Sequence, residues 1–160
     1  MLAIDIICVG KLKEKYYFEA ANEYSKRLAT YCKVRVIEIG EQTRVAGAQK
    51  AAIRSALNKE ATAIEAKIPR GALVIAMCVE GRPKSSEELS ELLNIYTVSG
   101  VSKICFIIGG SDGLHESIKS RSDMLLSVSK MTFPHHLMRV ILLEQIYRAF
   151  KIIEGGKYHK

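Results

Sequence analysis

The sequence predicts an α/β fold in which a mainly parallel sheet of five to six strands is flanked by helices. Apolar, β-branched-rich runs alternate with segments of helical periodicity, and this alternation is typical of a parallel sheet. Several of the runs end at or close to a glycine, where a strand gives way to a loop. The 160 residues, 48% of them hydrophobic, suffice for a single domain over 1–160 with a sizeable core.

The elements follow one another in a regular order. Strands are predicted at 3–9, 33–39, 72–79, 103–108 and 124–128. Helices are predicted at 14–29, 46–68, 115–121 and 136–154. The second of these is alanine-rich and is closed by Pro69 and Gly71. One further helix is expected to begin with Ser86 as its N-cap and Glu87 and Glu88 in its first turn.

The last predicted helix is apolar around most of its circumference. A stripe runs from Leu142 to Ile153, while Val140, Ile141 and Ile152 lie among charged residues on the other side. Such a helix needs two packing partners, of which the sheet is one. A second subunit related by a two-fold axis would be the other. A monomer that buries the helix fits the pattern almost as well.

Composition narrows the class of partner. A formal net charge of +7 suits a polyanion such as nucleic acid, although the same charge can serve solubility alone. The four cysteines form no C-x-x-C pair and resemble small buried hydrophobes in a reducing cytoplasm. No signal peptide, membrane span or metal-ligand spacing is expected.

Two loops that follow predicted strands point to a ligand pocket. Ile108–Leu114 contains three glycines, and Ser129–His135 reads Ser-Lys-Met-Thr-Phe-Pro-His. Parallel strands end at one edge of a sheet, where ligands bind. The glycine spacing matches neither the dinucleotide fingerprint nor a P-loop. Topology rules alone predict an unknotted, flavodoxin-like strand order, which is typical of nucleotide-binding domains.

Six motifs occur in a specific order along the chain. They are Val9–Tyr16, Phe106–Leu114, Ser129–His135, Arg139-Val140, Glu144–Ala149 and Tyr158-His159-Lys160. Together they closely resemble the large-subunit ribosomal RNA pseudouridine N3-methyltransferase family, small members of the SPOUT methyltransferase class. The resemblance implies a C-terminal trefoil knot, S-adenosylmethionine as cofactor, a homodimer with the site at its interface, and large-subunit ribosomal RNA on the ribosome as substrate. It replaces the flavodoxin-like expectation.

The resemblance also implies which residues hold the cofactor. They are Met77, Gly109, Val128, Ser129, Lys130, Met131, Thr132 and Phe133. Glycine at 109 would leave room for the ligand, and apolar side chains would sandwich an adenine. Cys78 departs from the family, which usually carries an acidic residue there. Glu80 has the same strand-face parity and could substitute, although a buried, inert Cys78 is the simpler interpretation.

Arg148, Tyr158 and His159 are carried over as the catalytic and substrate-facing set. Methylation at N3 of pseudouridine requires loss of an imide proton, for which His159 is a suitable base. Arg148 would stabilise negative charge and Tyr158 would stack or donate a hydrogen bond. A hinge is expected at Gly155-Gly156, which would let the tail fold over a substrate.

Basic residues near the same sheet edge are candidates for RNA phosphate contacts. They are Lys11, Lys13, Lys15, Arg82, Lys84, Lys157 and Lys160. A non-catalytic RNA- or ribosome-binding module of the same fold remains the alternative function.

Overall fold

A computed structural model describes all residues, Met1–Lys160. The strands are β1 (Ala3–Val9), β2 (Lys33–Ile39), β3 (Leu73–Pro83), β4 (Lys103–Ile108) and β5 (Met124–Ser127). The helices are α1 (Lys15–Leu28), α2 (Lys50–Glu65), α3 (Ser86–Val98), α4 (Glu116–Arg121) and α5 (His135–Ile153). The five strands form one sheet in the order β2-β1-β4-β3-β5, and every pairing is parallel. The predicted α/β class with a parallel sheet flanked by helices is therefore confirmed.

The strand order excludes the flavodoxin-like alternative. In that order β3 would lie next to β1, with β4 beyond it. Here β4 lies between β1 and β3, and β3 pairs on its other side with β5.

Among the element boundaries that differ from the sequence predictions, three have a clear structural cause. Helix α2 begins at Lys50 instead of residue 46, because Gly47 adopts a positive φ of 77° that a helix cannot contain. Strand β3 continues past Gly81 to Pro83, since the missing side chain lets its backbone approach β5: a Cβ at Gly81 would lie 2.6 Å from the carbonyl carbon of Leu126.

The N-cap of α3 is Ser85, one residue before the predicted Ser86. The Ser85 hydroxyl accepts a hydrogen bond from the Glu88 amide at 3.2 Å, and the Glu88 carboxylate accepts one from the Ser85 amide at 2.7 Å. This capping box fixes the start of α3, from which Ser86 and Glu87 project.

Two cores lie on opposite faces of the sheet. On one face, alternate residues such as Ile4, Ile6 and Phe106 pack against α1, α3 and α5. On the other face, Ile7 and Ile107 pack against α2 and α4. The result is a three-layer arrangement whose strand ends are covered by loops.

Helix α5 finds its packing partners within its own chain. It lies against both α1 and α3, and Leu142, Leu143 and Ile146 are fully buried. On the opposite side Val140, Ile141 and other residues are half-buried, and Ile153 alone in the helix is exposed. The single-chain alternative accounts for this burial, so the apolar circumference does not by itself require a second subunit. None of the helices combines the length and apolar content needed to cross a membrane.

Candidate active site

A cavity of about 470 Å³ lies at the carboxyl ends of β3, β4 and β5. Its walls come from the end of β3, from the turn over residues 109–114, from the loop over residues 127–134 and from the start of α5. The two loops singled out in the sequence therefore meet at one cavity. Its volume falls within the range of roughly 300–1,000 Å³ that is usual for small-molecule sites.

Most of the predicted cofactor residues line this cavity. They are Met77, Gly109, Val128, Ser129, Met131, Thr132 and Phe133. Lys130 is the exception, because it is exposed in the same loop and does not contribute to the lining. The structure thus brings together seven of the eight predicted residues at one cavity.

The turn that follows β4 has little room to vary. Gly110 and Gly113 form an isolated antiparallel bridge, in which the Gly113 amide donates to the Gly110 carbonyl at 3.1 Å. A Cβ at Gly109 would lie 2.5 Å from the Gly113 carbonyl oxygen, and Gly113 alone among the three has a positive φ, of 80°. The sequence argument that Gly109 leaves room for a ligand is therefore incomplete, since the turn itself already requires a glycine there.

The loop that follows β5 is held by its own serines. The Ser127 hydroxyl donates to the Ser129 carbonyl at 2.8 Å, and the Ser129 hydroxyl accepts from the Met131 amide at 3.0 Å. Met131 is exposed and Phe133 half-buried at the cavity. These two side chains offer apolar surface to a planar ligand.

Cys78 and Glu80 both line the cavity, at the end of β3. Cys78 is half-buried instead of fully buried, and burial raises the pKa of its thiol. The Glu80 carboxylate is hydrogen-bonded by Lys119 of α4, which lowers the pKa of Glu80. The carboxylate that could replace the missing acidic residue is thus present, but it is already paired.

Arg148, Tyr158 and His159 lie together at the end of the chain. Glu144 Oε1 accepts hydrogen bonds from Arg148 Nη2 at 2.6 Å and Nε at 3.0 Å, and from the Tyr158 hydroxyl at 3.2 Å. The Arg148 guanidinium also stacks over the Tyr158 ring, 4.8 Å from its centroid. His159 lies between Arg148 Nη1, 3.3 Å from its Nδ1, and Glu87 Oε1, 2.7 Å from its Nε2.

These contacts determine the protonation of the cluster. Burial, followed by hydrogen bonding to Tyr24 and the charge of Glu144, raises the pKa of Tyr158 to about 12, so the phenol is a donor at neutral pH. The hydrogen bond to Glu144 raises the pKa of Arg148. Because Arg148 can only donate, His159 Nδ1 is assigned as the acceptor and Nε2 as the nitrogen that carries hydrogen toward Glu87.

Glu87, Glu144 and Gln145 are site residues that the sequence argument did not assign. Glu144 could have been found from the sequence, because its i,i+4 spacing from Arg148 on one helix predicts an ion pair. Glu87 had no such signal, because it is 72 residues from His159. Gln145 Oε1 accepts from Ser86 at 2.6 Å, and its Nε2 donates to Glu144 at 2.7 Å.

A smaller cavity of about 300 Å³ lies between the larger cavity and Gln145. Ser86 and Gln145 line it, and it shares Val128, Ser129 and Phe133 with the larger cavity. Hydrogen bonds then lead from Gln145 through Glu144 to Arg148 and Tyr158. No group of three or more histidine, cysteine and carboxylate side chains that could hold a metal ion is formed.

A parallel α/β sheet with a loop-walled cavity at its carboxyl edge is the architecture of a small-molecule-binding protein. The chain belongs to the SPOUT methyltransferase family: the family model described as "Predicted SPOUT methyltransferase" matches residues 2–159. This confirms the family resemblance seen in the sequence.

Several relatives match nearly the whole chain. "Ribosomal RNA large subunit methyltransferase H" of Bacillus pumilus is 45% identical over 157 residues, covering 98% of this chain and 99% of the relative. The protein of the same name from Clostridium novyi is 49% identical with the same coverage.

Solved structures share the fold at low identity. A probable methylase family protein from Haemophilus influenzae aligns with a TM-score of 0.60 and 13% identity, over 98% of this chain and 70% of that one. A probable methyltransferase from Bordetella pertussis aligns with a TM-score of 0.57 and 12% identity, over 91% and 95%.

Proposed function

We propose that this chain is an S-adenosylmethionine-dependent methyltransferase that modifies N3 of a pseudouridine in a hairpin of large-subunit ribosomal RNA. The observation that carries the proposal is the cluster of Arg148, Tyr158 and His159. Hydrogen bonds link this cluster to the wall of the smaller cavity, which shares lining residues with the ligand-sized cavity. The names of relatives at 45–49% identity support ribosomal RNA as the substrate class.

The larger cavity fits the cofactor chemically. Met77, Val128 and Phe133 offer apolar surface for an adenine, and the turn over 109–113 and the loop over 128–133 offer main-chain groups for its polar edge. When bound, S-adenosylmethionine supplies a methyl group activated by a sulfonium. The residues of the two loops would hold the cofactor, and positioning of this kind can be worth roughly 7–11 kcal/mol of the barrier.

His159 is the proposed base for the N3 proton. Its Nε2–H faces the Glu87 carboxylate, an arrangement that orients the ring and stabilises the imidazolium formed when Nδ1 takes a proton. In the structure Nδ1 faces Arg148, so the substrate must displace this contact before the base is free. Arg148, once released, can compensate negative charge on the carbonyl oxygens of the base, and Tyr158 can donate a hydrogen bond to one of them.

The family resemblance further supports a trefoil knot and a homodimer in which the tail of one chain completes the site of the other. Mixing two inactive variants tests this arrangement. His159→Ala removes the base, and Val128→Trp fills the cavity. Recovery of activity in mixed dimers supports completion between chains. Failure to recover, with mixed dimers demonstrated by differential tags, assigns the tail to the cavity of its own chain.

RNA binding is supported by basic side chains without acidic partners. Lys11, Lys13, Arg82 and Lys157 are exposed and form no ion pair within 4.0 Å, whereas Lys15 pairs with Glu19 at 3.6 Å. A protein that uses such groups on phosphates loses affinity steeply with salt. We also propose a cytoplasmic location, where a ribosomal RNA substrate would be found.

The direct test is to incubate the protein with radiolabelled S-adenosylmethionine and ribosomal particles from cells that lack the modification, and then to map the labelled nucleotide. Label at N3 of a pseudouridine in a large-subunit hairpin supports the proposal, and His159→Ala should abolish it. Label in transfer RNA or protein contradicts it. RNA binding without calorimetric binding of the cofactor would instead favour the non-catalytic RNA-binding module.

A further inference from the structure

The loop between β2 and α2, residues 40–49, contributes no residue to the lining of the larger cavity. It nevertheless carries two charged side chains, Glu41 and Arg44, that contact segments of the cavity wall from the side facing away from the cavity. The glycine turn after β4 and the start of α5 are the two parts of the wall that they contact.

Arg44 connects three carboxylates from three segments of the chain. Its Nη2 donates to Glu60 of α2 at 3.0 Å, its Nε lies 2.8 Å from Asp112 of the glycine turn, and its Nη1 lies 3.7 Å from Glu41. The Nε contact has the distance of an ion pair without the alignment of a hydrogen bond. The Arg44 side chain is only 13% exposed, so solvent screens these pairs weakly.

Glu41 contacts the same turn at Ser111, the residue before Asp112. Its Oε1 accepts hydrogen bonds from the Ser111 hydroxyl at 3.0 Å and the Ser111 amide at 3.3 Å. A Cβ at Gly110 would lie 2.8 Å from Glu41 Oε1, so the glycine leaves the space that this carboxylate occupies. Its Oε2 lies 4.0 Å from Nε2 of His135, the first residue of α5 and part of the cavity lining.

The charges around Glu41 favour its ionised form. Burial alone would raise its pKa, but the two Ser111 hydrogen bonds and the charges of His135 and Arg44 outweigh burial and hold the pKa below its ordinary value. Glu41 is therefore a carboxylate, and an acceptor, throughout the neutral range.

Glu60 explains why Arg44 cannot move freely. The Glu60 side chain is 2% exposed; Oε1 accepts from Arg44 and from the Gln42 amide at 3.1 Å, while Oε2 has no hydrogen-bond partner. A buried carboxylate is costly unless it is paired, so loss of Arg44 would leave an uncompensated charge. Apolar side chains could fill the same space at lower cost, which indicates a positioning role for the network.

We propose that Glu41 and Arg44 are positioning residues that set the shape of the cofactor cavity by fixing the Gly110–Gly113 turn and the start of α5. This inference rests on the proposed function for the identity of the ligand, S-adenosylmethionine. Part of the affinity for S-adenosylmethionine would then depend on the loop over residues 40–49, which lies outside the cavity.

The test measures S-adenosylmethionine affinity by calorimetry together with hydrogen exchange at the Ser111 amide. Arg44→Met and Glu41→Ala should each weaken binding by about 10- to 100-fold, since a misplacement of about 1 Å can cost on the order of 100-fold. Both should accelerate exchange at Ser111. In turnover, the KM for the cofactor should rise more than kcat falls. Glu41→Gln, which keeps an acceptor oxygen, should restore part of the loss.

Arg35→Met is the matched control. Arg35 binds Asp5 through two hydrogen bonds of 2.7 and 3.0 Å, and neither residue lines the cavity. Arg35→Met should leave the affinity for S-adenosylmethionine and the hydrogen exchange of the Ser111 amide unchanged. If Arg44→Met does not fold, Glu41→Ala and Asp112→Ala carry the test, because both carboxylates are about one-third exposed.

Folded variants with unaltered affinity and unaltered Ser111 exchange would overturn the inference. If the unmodified protein does not bind S-adenosylmethionine, the proposed function fails instead. Ser111 exchange then still decides whether Glu41 and Arg44 hold the turn.

Discussion

Glu144 is the residue on which the tail cluster depends most, and Glu144→Ala is the perturbation that tests this. Its carboxylate is 17% exposed and accepts two hydrogen bonds from Arg148 and one from Tyr158. Hydrogen bonds to a charged group contribute about 1.5–3 kcal/mol each, and bonds that share one oxygen are not additive. We therefore expect the free energy of unfolding to fall by about 2–3 kcal/mol.

This loss is large enough to measure by thermal unfolding. For a chain of this size 1 kcal/mol shifts Tm by roughly 2–4 °C, so the expected decrease is about 4–12 °C. Glu144→Gln keeps one acceptor and should give a smaller decrease. Methyl transfer should fall in both variants, because Arg148 and Tyr158 lose their common partner.

Glu23→Ala provides the control for Glu144→Ala. Glu23 forms the same i,i+4 pair with Arg27, at 2.9 Å, but on the exposed side of α1. Its Tm should stay within error of the unmodified protein. If Glu144→Ala shifts Tm no more than Glu23→Ala, and the ring signals of Tyr158 stay unchanged by NMR, then Glu144 does not hold the tail.

Three further outcomes are expected. Truncation after Gly156 should abolish methyl transfer while calorimetry still detects cofactor binding; retained activity would show that the tail is dispensable. The pKa of Glu87 is lowered to about 2, first by its own backbone amide and then by His159. The stabilisation that goes with the lowered pKa is therefore complete above about pH 4.5 and is lost as pH falls toward 2, and the His159 ring signals should report the part that comes from the His159 contact. Gly81→Ala should lower the free energy of unfolding by about 1–3 kcal/mol, because the added Cβ would lie 2.6 Å from the β5 backbone. Gly40→Ala, whose Cβ would have no atom within 4 Å, should leave it unchanged, and chemical denaturation measures both.

The strands and most helices could be predicted because their signals are local. Buried parallel strands such as Ile104–Ile108 are continuous apolar runs, and the helices show their periodicity within a few turns. The strand order could not be predicted in the same way. The insertion of β4 between β1 and β3 is decided by pairings such as Ile6 with Phe106, which lie far apart in the sequence.

The same distinction applies to the site. The two loops predicted at 108–114 and 129–135 could be found because each follows a strand and carries a distinctive motif. Glu41 and Glu87 were not, since their partners Ser111 and His159 are 70 and 72 residues away. The predicted helix over 46–68 also hid the second half of the loop over 40–49. Residues 46–49 continue the alanine-rich composition of the helix, and Gly47 is the one helix breaker among them.

The two charged networks differ in a way that suits their proposed roles. The pair of Arg44 and Glu60 is buried, and Arg44 cannot leave it without leaving the Glu60 carboxylate uncompensated. The tail network is more accessible: Glu87 is 58% exposed, and Arg148 and His159 are partly exposed. A phosphate or a nucleobase can therefore compete for Arg148, and its departure from His159 Nδ1 is the event that would free the base. Under the proposed function, the cavity would keep its shape before RNA arrives, whereas His159 would act as a base only once the substrate has taken Arg148 away from it.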